Sequence, residues 1–243
     1  MLKILSIGNS FSNDAHRYIS EVAKSCGKCV KTVNLYIGGC SLATHYKNMN
    51  NDNRAYEILF NGISTGFYTS IKEALQSDEW DFVTMQQVSR YSFDAKTYYP
   101  YIERLSEYVS YHAPNSAQVV HQTWSYEQGS DMLKDVGFTS QQEMFLQLKS
   151  AYADAAKRIN APIIPSGEMF QQLLKSGFPI HRDTYHAGFG SGRFALALLW
   201  LKLLAGIDIK AVKFSDFDEP VSREEYAAAI AAADMFDAAD FRK

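Results

Sequence analysis

The sequence predicts a three-layer α/β/α domain, a mainly parallel sheet of about five strands with helices on both faces. Two observations carry this. Short aliphatic runs alternate along the chain with stretches whose apolar residues recur at helical spacing, and strands that alternate with helices in this way pair in parallel and are covered on both sides. The predicted strands are residues 2–7, 30–37, 82–85, 117–121 and 161–164. A helix is expected over residues 11–25 after the turn Gly8-Asn9-Ser10, and others precede the fourth and fifth strands, at residues 97–112 and 140–159. Gly38-Gly39 ends the second strand, and Trp80-Asp81 introduces the third, which leads into Gln86-Gln87. The apolar run 194–205 reads as a buried helix, and Ser222-Arg-Glu-Glu225 is a capping box for a last helix. Segments 48–69 and 123–138 are less periodic, and such connections build the rim of a site in an open α/β sheet. With no repeat or linker visible, residues 1–243 are read as one domain.

Composition narrows the function classes. The chain has 243 residues, of which 47% are hydrophobic and 21% charged, which excludes disordered, collagen-like and coiled-coil proteins. A formal charge of −3 offers no footprint for nucleic acid. The run 194–205 is too short, and interrupted by Lys202, to cross a bilayer. No export signal precedes the first strand, so a cytoplasmic location is expected. Three cysteines, Cys26, Cys29 and Cys40, fit a reducing compartment. Cys26-Gly-Lys-Cys29 has the spacing of zinc and redox motifs but lacks a second pair, and reads as a helix end at Gly27.

In a doubly wound sheet the ligand crevice lies beyond the carboxyl ends of the strands. Ser10 follows the first strand at a strand-to-helix turn, where a hydroxyl stands exposed or merely caps the helix. Gly38-Gly39 offers backbone N–H groups unencumbered by side chains, as an oxyanion hole requires, and Gln86 and Gln87 offer carboxamides, its other usual component. Near the C-terminus Asp183-Thr-Tyr-His186 puts a carboxylate within reach of one imidazole nitrogen and leaves the other as a general base. Ser10, Asp183 and His186 would form a hydrolytic triad. A metal reading of His181, Asp183 and His186 competes, but their spacing is not a zinc signature.

These residues resemble the SGNH hydrolase superfamily, also called GDSL-like, and within it a branch known mainly as a domain of unknown function. The likeness covers nearly the whole chain and implies the flavodoxin-like arrangement of that fold. Gly8-Asn9-Ser10 is similar to the family's Gly-Asp-Ser block, which implies that Ser10 is the nucleophile and that its N–H is an oxyanion donor; Asn9 replaces the aspartate. The second-block glycine corresponds to Gly39, with Gly38 adjacent, and Asp183 and His186 match the final Asp-x-x-His. The third block departs: Met85-Gln-Gln-Val-Ser89 stands where Gly-x-Asn-Asp is usual, and the asparagine's donor role passes to Gln86 or Gln87. The resemblance implies two-step acyl transfer without cofactor or metal, on an O-acylated carbohydrate or related small ester. Trp124 and Tyr126 are the expected substrate-stacking rings, with residues 67–68 and 98–101 as further aromatic clusters. The alternative is a carbohydrate-binding or scaffold protein that keeps the fold without catalysis. A nucleotide-binding Rossmann reading fails because Gly-x-Gly-x-x-Gly is missing.

Overall fold

The computed structural model describes residues 1–238. The chain begins β1 (Leu2–Gly8), α1 (Ser10–His16), α2 (Ile19–Ser25), β2 (Val30–Tyr36), α3 (Leu42–Asn50), β3 (Tyr56–Phe60), β4 (Ile63–Thr69) and α4 (Ile71–Gln76). It continues β5 (Phe82–Met85), α5 (Tyr101–His112), β6 (Ala117–His121), α6 (Asp131–Asp135), α7 (Gln141–Arg158) and β7 (Ile163–Ile164). Helices α8 (Ser166–Lys175), α9 (Ser191–Trp200) and α10 (Arg223–Asp234) complete it.

The strands form one seven-stranded sheet in the order β4-β3-β2-β1-β5-β6-β7. β2, β1, β5, β6 and β7 are parallel, with Gly8 opposite Tyr36, Ile7 opposite Met85 and His121 opposite Ile164. This register brings the carboxyl ends of the strands to one edge, and the chain reverses its direction of growth at β1, where such sheets bind ligands. Successive residues point to opposite faces. Ile4, Phe82, Val119 and Ile164 pack under α1, α2, α8, α9 and α10. Leu5, Val33, Val83, Met85 and Val120 pack under α3, α4, α5 and α7.

The parallel frame agrees with the reading from sequence, but the sheet has seven strands rather than about five. The difference is the antiparallel hairpin β3-β4, inside a segment expected to be irregular. Asn61 and Gly62 have φ of 49° and 75°, the positive-φ pair that a two-residue hairpin turn favours. β4 is exposed along nearly its whole length at the sheet edge, so neither a buried run nor strict alternation marks it. The first helix is likewise divided, α2 starting after Tyr18, whose hydroxyl donates to the Phe189 carbonyl and accepts the Asp218 N–H. α5 starts at Tyr101 because the residue before a proline is pushed out of helical geometry, here Tyr99 before Pro100. The apolar run 194–205 is buried as α9 and the π-helical turn after it, and Lys202 reaches out to the Asp234 carboxylate. The capping box Ser222-Glu225 opens α10, and Gly27, at φ 68°, follows the end of α2. Among the described residues no helix is long and apolar enough to cross a membrane.

Candidate active site

Ser10 opens α1, capped by Asn9, whose side-chain Oδ1 accepts the Phe11 N–H at 3.0 Å. The turn is tight at position 8, where a Cβ would collide with the Ser12 side chain, so glycine fits there best. Ser10 Oγ is 2.8 Å from His186 Nε2, and His186 Nδ1 is 2.8 Å from Asp183 Oδ2. Because a carboxylate only accepts, Nδ1 carries the ring proton and Nε2 is left to accept from the serine hydroxyl. The second Asp183 oxygen accepts the His186 backbone N–H at 2.9 Å, closing a turn in which Thr184 sits at φ 73°, unusual for a β-branched residue. Partial burial pushes the Asp183 carboxyl up, but the hydrogen bonds from the His186 ring and backbone outweigh it, with Arg182 nearby, and its pKa lies below the ordinary carboxylate value.

Two sets of contacts hold this loop against α1. One is aromatic: the Phe11 ring lies 4.4 Å from Trp124 and 5.6 Å from the His186 ring, and Tyr185 packs on His186 at 3.9 Å. The other is ionic. Asp14, fully buried on α1, accepts from Arg182 Nη1 at 2.8 Å, Arg193 Nε at 2.9 Å and the Ala187 N–H at 3.1 Å. Arg193 also pairs with Asp218, which binds Arg17. Asp14 thus ties the two halves of the candidate site together across more than 160 residues, and no local signal in the sequence marks it.

A cavity of about 270 Å³ opens over Ser10 and His186, walled by Tyr36, Gly38, Gly39, Val88, Ser89 and Tyr185. Gly39 adopts φ 63°, a left-handed conformation open to glycine at no steric cost.

Three expectations need correction. The Gln87 carboxamide does not face this cavity: its nitrogen donates to the Thr97 carbonyl and hydroxyl at 2.9 and 3.1 Å, and its oxygen accepts the Leu42 N–H at 3.0 Å. Gln86, on the other face of the strand end, gives its nitrogen to Asn9 Oδ1 at 2.7 Å and its oxygen to Ser12 Oγ and to His121 Nδ1. It too lies beneath the Asn9–Ser10 turn rather than on the cavity wall. Trp124 and Tyr126 have no exposed surface. Trp124 donates to the Tyr185 carbonyl at 2.8 Å and Tyr126 bonds Ser89 at 3.0 Å, so they brace the cavity wall from behind. Beside His186, the rings that line the cavity are Phe11, Tyr36 and Tyr185, and the last lies inside the Asp-x-x-His motif, the one local signal for its position. Tyr98 is buried, and Phe67 and Tyr68 are exposed on β4 at the far sheet edge. His181 Nε2 bonds the Ser125 carbonyl at 2.9 Å, and among the described residues no group of three or more His, Cys, Asp or Glu side chains is placed to hold a metal ion.

Residues 3–238 match the model of DUF4886, a domain of unknown function, and the chain belongs to that family. It is an SGNH-superfamily branch of unknown function. A crystal structure of a DUF4886 family protein from Bacteroides uniformis shares 30% identity and a TM-score of 0.86, covering 96% of this chain and 93% of that one. A candidate SGNH hydrolase from Slackia heliotrinireducens shares 26% identity at TM-score 0.61, covering 84% and 99% of the two chains. An acetylxylan esterase from Geobacillus stearothermophilus, at 13% identity and TM-score 0.55 over 86% and 95%, shares the fold. No curated protein matches the sequence.

Proposed function

We propose that this protein is a serine esterase that removes a small acyl group, acetyl in the first instance, from a carbohydrate or a related small ester. The observation that carries the reading is the unbroken chain from Ser10 Oγ through His186 to Asp183, with 2.8 Å at both links. In this mechanism His186 Nε2 takes the Ser10 proton as Oγ attacks the ester carbonyl, and Asp183 holds the ring and stabilises the imidazolium. The N–H groups of Ser10 and Gly39 receive the oxyanion. His186 then protonates the leaving alkoxide, and water, activated by the same base, releases the acyl group and restores Ser10. The chemistry calls for no metal or cofactor.

The volume of about 270 Å³ suits a short acyl chain, while the half-buried Tyr36 and Tyr185 offer ring faces on which a sugar stacks. That an acetylxylan esterase shares the fold supports the same substrate class. The test is hydrolysis of p-nitrophenyl acetate and a panel of acetylated sugars by the parent and Ser10→Ala proteins, with a chelator as control. Loss of about 10⁴-fold or more in turnover on mutation, and none on chelation, is expected. Equal turnover by the two proteins would overturn the reading.

A further inference from the structure

Asn9 stands where the resembled block carries an aspartate, and its side chain is engaged at both ends. Oδ1 accepts the Phe11 N–H and Gln86 Nε2, and Nδ2 donates to the Cys40 carbonyl at 3.2 Å. The orientation follows from partner chemistry: a backbone N–H only donates and a carbonyl only accepts. Gln86 must therefore present its nitrogen to Asn9, and its oxygen accepts from Ser12 and His121. Cys40 follows Gly39, so the Asn9 amide ties the turn carrying Gly39 to the turn carrying Ser10.

Building on the esterase reading, we propose that Asn9 is a positioning residue whose neutral amide sets the spacing of the two backbone oxyanion donors, and that Gln86 acts through Asn9 rather than on the oxyanion. An aspartate at position 9 would keep the helix cap, but as a carboxylate it would set an oxygen against the Cys40 carbonyl with no proton between them. Only its protonated form could restore the bond.

The test compares the parent with Asn9→Asp and Asn9→Ser from about pH 5 to about pH 8, measuring kcat and KM on p-nitrophenyl acetate and, separately, Tm. Titratable groups near Asn9 are Cys40, whose thiol burial pushes up to about 12, His121 on β6, which burial holds neutral down to about 3, and His186. All three are present in every variant; because a carboxylate at position 9 would itself shift them, Tm is read beside kcat, and the uncharged Asn9→Ser is the reference without that charge. At the alkaline end Asn9→Asp is expected to lose about 10²-fold in kcat with KM little changed, and the deficit in both kcat and Tm shrinks as the pH falls and the carboxyl protonates. Asn9→Ser keeps the cap without a donor that reaches Cys40, so its deficit is independent of pH. An Asn9→Asp protein equal to the parent at the alkaline end, or a deficit flat with pH, would overturn the proposal. If the parent itself shows no Ser10-dependent turnover, the esterase reading falls and the positioning role falls with it; the Tm comparison then decides separately whether position 9 needs a donor.

Discussion

Replacing Asp14 by asparagine tests how the two halves of the site are held together. The carboxylate is fully buried and receives Arg182, two nitrogens of Arg193 at 2.9 Å and the Ala187 N–H. An amide of the same shape keeps one acceptor oxygen and turns an NH₂ towards a guanidinium. Breaking a buried ion pair by removing one partner costs about 3–5 kcal/mol. The low end applies here, about 3 kcal/mol, because Arg193 keeps Asp218 and the Arg182 side chain retains 18% exposure. At about 2–4 °C per kcal/mol for a chain of this size, Tm should fall by about 6–12 °C. Ala187 adjoins His186, so the loss also loosens that imidazole, and in the proposed mechanism misplacement of the base lowers kcat steeply. We expect a fall of about 10-fold or more in kcat with KM little changed. Calorimetry and ester hydrolysis on the same preparation check both. A Tm shift under about 2 °C with unaltered kcat would show that Asp14 neither holds the loop nor bears on His186.

Acid should destabilise the fold before it affects the carboxylates. His16, His45 and His121 are buried and held neutral, burial lowering each from 6.5 to about 3. The unfolded chain binds these protons below pH 6.5 and the native one does not, so their contribution is present above that pH and lost as pH falls towards about 3. At about pH 5 each costs about 2 kcal/mol, so urea unfolding should show a combined loss of about 4–6 kcal/mol relative to about pH 8; a flat profile would refute it. Trp124→Phe removes the donor to the Tyr185 carbonyl, at about 1–2 kcal/mol, and is expected to lower kcat. A rise in KM with kcat unchanged would instead mean that the ring contacts substrate.

The features legible along the chain are local or periodic. The parallel strands could be read because buried strands are aliphatic and bounded by turn residues. The Asp183–His186 pair could be read because three residues of chain in one turn hold the partners together. Both capping signals at Ser222 and Glu225 were legible for the same reason.

Side-chain direction and distant packing emerge only once the chain is folded. Adjacent glutamines at the end of β5 point to opposite faces, so a shift of one residue decides whether a carboxamide meets Thr97 or Asn9. Trp124 and Tyr126 look like stacking rings until the loop around them closes and the core claims both. The β3-β4 hairpin lies at an exposed edge, where hydrophobic patterning carries little information. Ser10 and His186, 176 residues apart, meet because the sheet register brings the strand ends together and Asp14 draws the C-terminal loop onto α1. A contact of that kind is a property of packing, which no stretch of neighbouring residues encodes.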